Sequence, residues 1–122
     1  MKIVIPGKFP GLNEFIAACR RTRGSWSGGN AMKREDQKKI SWYLPHNVRF
    51  KKPIFIEYTF YEENARRDKD NISGYFHKVF QDSLVQAGII ENDGWKQIDG
   101  MADYFMIDKK RPRIEIEIKE RS

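Results

Sequence analysis

Among 122 residues the chain has one cysteine, Cys19, and two histidines, His46 and His77. A single cysteine excludes an intrachain disulfide and points to a reducing, cytoplasmic compartment. One Cys and two His also fall short of the ligand set of a structural zinc site. No run of about 18 apolar residues occurs, so no stretch reads as a membrane-spanning helix. The opening MKIVIPGKFPG lacks the long apolar segment of a secretory signal. No Ser-His-Asp or Cys-His pattern is legible, and Cys19 falls on an apolar helical face, as a core residue rather than a nucleophile would. Acids are scarce in the first part: residues 1–52 hold 12 Lys and Arg against 3 acids, net +9, and residues 53–122 hold 11 against 14, net −3.

What is present suits one small domain spanning 1–122. Hydrophobic residues make up 39% and aromatics 13%, enough for one modest core. The net charge of +6, concentrated in the first half, fits a polyanionic partner.

Residue order predicts β-α-α-β-α-β-β. KIVIP is a short strand ended by proline. GLNEFIAACRR puts Leu12, Phe15, Ile16 and Cys19 at helical spacing, with Asn13 as the N-cap. TRGSWSGGNA is a glycine-rich loop, and MKREDQKKISWYL is helical up to Pro45. PIFIEYTFY is a strand. From Asp70 to Ala87 the helical pattern is clearest, with Ile72, Phe76, Val79, Phe80, Ser83 and Ala87 on one face and Gly88 ending it. ENDGW is a turn, and QIDGMADYFMID is a strand whose glycine marks a bulge. RIEIEIKE alternates isoleucine with charge, as a strand with one buried face does, and DKKRP is the expected hairpin connection. The fold class is α+β (mixed α/β): a sheet of about four strands with helices packed against it.

The stretch NARRDKDNISGYFHKVFQDSL carries the chemistry. In extended chain, residues two apart point the same way, so Asp68 and Asp70 lean toward one point while Lys69 points away. Magnesium takes oxygen ligands and uses one or two carboxylates, with waters and substrate phosphates completing its shell. Asp93, in the turn after the helix, closes the cluster only if that turn folds back toward the helix start. Each acid also has a plainer use. Asp70 or Asn71 can cap the helix. Asp93 suits a turn. Asp68 can pair with Arg66 or Arg67.

RRDKDNISGYFHKVFQDSLVQAGIIENDGW resembles the core of the RusA family of Holliday-junction resolvases. That family's pattern is an arginine, DxDN, a helix with an F-D-A-L-like segment, a glycine and an acidic pair. The chain shows Arg67, Asp68, Asp70, Asn71, FQDSL, Gly88 and Asn92–Asp93. IPGKFPGLNEF and PRIEIEIKE also look like the family's ends. Two departures stand out: Asn92 replaces one acid of the pair, and Gly74 stands where members can carry a catalytic lysine. Lys78, one helical turn on, is the candidate replacement, reaching back along the groove Gly74 leaves, with His77 as its competitor.

The resemblance implies a dimeric, magnesium-dependent endodeoxyribonuclease of phage type, with Mn²⁺ as a possible substitute. Such an enzyme resolves four-way DNA junctions by paired phosphodiester hydrolysis. It implies Asp68, Asp70 and Asp93 as metal ligands and catalytic acids; Lys78 is the candidate for the catalytic lysine that Gly74 displaces. Arg66 and Arg67 are phosphate-clamp candidates because arginine grips phosphate with two hydrogen bonds. Arg20, Arg21, Arg23, Lys33, Arg34, Lys38 and Lys39 would hold DNA arms, and Trp26 is a candidate to stack on bases. A plain nucleic-acid-binding module, or a nuclease of other branched DNA or RNA, uses the same residues differently.

Overall fold

A computed structural model describes residues 1–21 and 28–121. Three helices and four strands follow the expected order: β1 Lys2–Pro6, α1 Leu12–Arg21, α2 Gly28–Tyr43, β2 Ile54–Glu62, α3 Lys69–Gln86, β3 Ile98–Ile107 and β4 Arg113–Glu120. The fold is α+β. None of the described helices is long and apolar enough to cross a membrane.

The strands form one sheet ordered β1-β4-β2-β3. β4 runs antiparallel to both β1 and β2, whereas β2 and β3 are parallel. DKKRP is therefore not a hairpin. It carries the chain from edge strand β3 past β2 to the slot beside β1. Antiparallel pairing with both neighbours lets Ile114, Ile116 and Ile118 face Phe60, Tyr58 and Ile56 in the buried layer, where an edge position would leave them half-covered. The expected bulge forms: Ile54 pairs with Ile98 but Phe55 pairs with Gly100, so Asp99 is the extra residue.

One sheet face is buried beneath the helices. β2 alternates strictly, with Ile54, Ile56, Tyr58, Phe60 and Glu62 inward. α3 is covered on more than one side. Ile72, Phe76, Val79, Phe80 and Ser83 are buried as expected, and so are Tyr75 and Leu84; Ala87, expected on that face, is exposed. Tyr58, Phe60, Phe76 and Phe80 meet edge-on and stacked, with ring centroids 5.5–6.0 Å apart. Tyr75 donates to Asp36 Oδ2 at 2.6 Å, tying α3 to α2. Burial pushes the Asp36 carboxyl up, against the downward pull of that bond. Gly88 ends α3 at φ 74°, the conformation only glycine adopts freely.

α1 differs from its expected form. It begins at Leu12, so Asn13 is not its N-cap; Gly11 precedes the first turn, and Glu14 accepts from the Gly11 N–H at 3.3 Å. Asn71, from α3, accepts from the Asn13 N–H at 2.8 Å and caps α1 across the fold. That approach requires glycine at position 11, where a Cβ would sit 2.6 Å from Asn71 Nδ2. Cys19 is exposed rather than core. α1 inserts its small residue Ala18, and the Cys19 sulfur lies outside against Gly29 of α2. Ile16, at 38% exposure, also lies outside the core.

Candidate metal and nucleic-acid site

α3 packs antiparallel to the strands, since β2 leads into its start and β3 begins after its end. Its N-terminus therefore stands at the C-terminal end of β2 and β3. A cavity of 660 Å³ opens there, lined by Glu62, Arg67, Asp68, Asp70, Phe105 and Ile107 among others. Asp68 is the N-cap residue of α3 in extended backbone (φ −67°, ψ 150°), and its side chain makes no cap hydrogen bond. Neither Asp70 nor Asn71 is the cap. Asp70 lies in the first turn, where its Oδ1 accepts from the Asn71 N–H at 2.9 Å. Both aspartates are exposed at the cavity's edge, at the N-terminal end of α3.

Glu62, a residue sequence reasoning passed over, organises this end. It is 6% exposed and receives Arg67 through Nε at 3.0 Å and Nη2 at 2.9 and 3.1 Å. Arg67 Nη1 also donates to the Phe9 carbonyl at 2.9 Å. Arg67 is thus an anchor holding the loop before Asp68, not a free phosphate clamp and not the partner of Asp68. The signal was present in the strand pattern, where an acid occupies an inward position. Arg66 remains exposed beside the cavity, its backbone N–H held by Asn64 Oδ1 at 3.0 Å.

Asp93 does not join the pair within one chain. It sits in the turn before β3, where its N–H is accepted by Asn92 Oδ1 at 2.9 Å. It lines two grooves at the other end of α3, one with Lys33 and Asp82, the other with Trp95 and Asp99. The 18 residues of α3 separate the two ends by about 27 Å. Among the described residues no group of three His, Cys, Asp or Glu side chains could hold a metal ion. The reason is topological: a parallel crossover returns the chain to the start of the next strand, the end opposite the helix N-terminus.

Lys78 is exposed, and its Cα is about 12 Å along the helix from that of Asp70. Gly74 itself is exposed, but Leu12 crowds it: a Cβ there would lie 3.3 Å from Leu12 Cδ2. His77 pairs instead with Asp103 of β3 at 2.7 Å and lies against the Tyr58 ring, centroids 4.6 Å apart. Both side chains are half-buried, so His77 is a helix-to-sheet tie and not a solvated neighbour of Lys78.

The expected basic patch divides. Lys33 is ion-paired with Asp82. Lys39 lies over the Phe9 ring at 4.6 Å. Arg20 and Arg21 are exposed in the last turn of α1. Arg23 and Trp26 lie outside the described residues. Arg34 and Lys38 occupy the outer face of α2, and four residues further on stands Trp42, 85% exposed. Sequence reasoning passed over Trp42, although its four-residue spacing from Arg34 and Lys38 is legible in the sequence. No protein-family model matches the chain, and no curated protein matches it.

Proposed function

We propose that the protein is a divalent-metal-dependent endodeoxyribonuclease of branched DNA, four-way junctions foremost, acting as a homodimer. The observation that carries this is the pair Asp68 and Asp70, two exposed carboxylates flanking the start of α3 on one cavity. Their hard oxygen donors fit Mg²⁺ or Mn²⁺, which needs few protein carboxylates when water and substrate phosphate complete the shell. Such an ion supplies charge neutralisation and an acidified water for phosphodiester hydrolysis. The chain's own residues do the rest. Arg67 and Glu62 hold the loop that presents Asp68, and Arg66 offers a second cation to a phosphate. The excess of +9 in residues 1–52 attracts the DNA.

The third acid would come from a second copy. β3 is an edge strand that leaves Met101, Tyr104, Met106 and Ile107 between 40% and 60% exposed. A long apolar edge of that kind is a pairing surface. Antiparallel pairing of two β3 strands about a two-fold axis would set the start of one against the end of the other. The start lies beside Asp93, and the end, Phe105 to Ile107, walls the Asp68–Asp70 cavity. Two such composite sites would suit paired cuts in a two-fold junction.

The separation of Asp93 within one chain favours a second reading, a nucleic-acid-binding module without catalysis. One experiment separates them: cleavage of a synthetic four-way junction with and without Mg²⁺ by wild type, Asp70→Asn, Asp93→Asn and an equal mixture of the two variants. Mg²⁺-dependent paired cuts lost in each variant are expected, with junction binding retained. A mixture of two-fold dimers regains about a quarter of the wild-type sites if Asp93 acts across the interface, and none if it acts within its own chain. An active Asp70→Asn enzyme, or no cleavage by wild type, ends the nuclease reading.

A further inference from the structure

We infer that the outer face of α2 is a stacking platform for an unpaired nucleotide, with Trp42 as the stacking ring and Arg34 and Lys38 as the phosphate contacts. A cavity of 690 Å³ is lined by Arg34, Lys38, Trp42 and His46, together with Gln37, Ser41 and Gln86. No carboxylate lines it, so its charge suits an anion, although Glu35 stands 3.8 Å from Lys38 on the open surface. The cavity lies within the range of about 300–1,000 Å³ typical of small-ligand sites.

Trp42 is 85% exposed on the helix that buries Ile40 completely, so no core contact explains its size. Arg34, Lys38 and Trp42 recur at four-residue spacing and share one stripe, with cations leading to an aromatic ring. That combination is how sequence-tolerant single-strand sites are built: the ring meets the face of any base, and the cations follow the backbone. Gln37 and Gln86, which also line the groove, carry both donors and acceptors for a base edge.

The groove continues toward the other functional end. Arg34, Gln37 and Gln86 also line the neighbouring groove that contains Asp93. A strand stacked on Trp42 would run along α2 toward Asp93. The platform deepens the proposed function and rests on its nucleic-acid part alone, since none of its residues is a candidate metal ligand.

The test is binding of a short oligothymidylate in EDTA at low salt, so that cleavage plays no part. With Trp26→Phe and Trp95→Phe in place, Trp42 emission is quenched on titration. In the otherwise native chain, Trp42→Ala weakens oligothymidylate binding by about 5- to 150-fold, the range that about 1–3 kcal/mol of stacking per base represents. Trp42→Tyr retains most of the affinity. An abasic strand of equal length binds Trp42→Ala and wild type alike. Equal oligothymidylate affinity for Trp42→Ala and wild type would overturn the inference. So would an equal loss on the abasic strand, or emission that changes with protein concentration alone, which would mean that a second copy covers the ring. Oligothymidylate binding without junction cleavage would remove only the nuclease reading. No oligothymidylate binding by wild type, with junction cleavage intact, would remove only the platform.

Discussion

Replacing Arg67 by alanine separates an anchor from a phosphate clamp. In the native chain its guanidinium makes three contacts with Glu62 at 2.9–3.1 Å and one with the Phe9 carbonyl. The two side chains are only 17% and 8% exposed. Removing the arginine leaves a carboxylate in a site with little water, and breaking a buried pair in this way costs about 3–5 kcal/mol. The residual exposure of Arg67 argues for the lower end, about 3 kcal/mol. Unfolding entropy near 2.1 cal/mol/K per residue gives about 0.26 kcal/mol/K for 122 residues. The melting temperature should therefore fall by about 12 °C. Thermal unfolding followed by circular dichroism measures it, and Arg67→Ala combined with Glu62→Leu should recover most of the loss, because no orphan charge then remains. A drop under about 4 °C for Arg67→Ala, with a clear loss of DNA affinity, would refute the reasoning and return Arg67 to the phosphates.

Two further outcomes follow from the fold. Asn71→Ala removes the side chain that caps α1 from α3, so the urea midpoint should shift by the equivalent of about 1 kcal/mol while Asp68 and Asp70 stay in place. Glu115 lies below its ordinary value of 4.5, first through its hydrogen bond from Arg113, against burial, and with help from Lys2. A lowered carboxylate stabilises the fold above that value and loses its contribution as pH falls through the depressed folded value. Melting temperature should accordingly decline as the solution is acidified below pH 4.5, and Glu115→Gln should flatten part of that decline. An unchanged profile would deny the pairing its role.

The element order, the bounds of β1 and β4 and the bulge at Asp99–Gly100 were readable from residue type. Alternation in RIEIEIKE, the β-branched and aromatic content of PIFIEYTFY, the helical spacing after Asp70 and the glycine at position 88 are local signals, and local sterics decide them. Cys19 and Asn13 depart from expectation for the same reason. A helical stripe says which residues share a face, but the small Ala18 is the residue α1 buries, while the Cys19 sulfur stays exposed against Gly29. Asn71 looked like a cap for its own helix and caps another, because the α1 backbone passes within hydrogen-bond reach.

By itself the sequence determined an α+β domain with a basic first half and a DxDN segment opening a helix, since charge, period and turn chemistry are properties of short stretches. Only the tertiary structure decided that β4 lies between β1 and β2, that Glu62 claims Arg67, and that Asp93 stands a helix length away from Asp68 and Asp70. Those outcomes depend on which strands pair and in which direction. Strand pairing is a competition for buried area among segments far apart along the chain, and no short stretch carries its result.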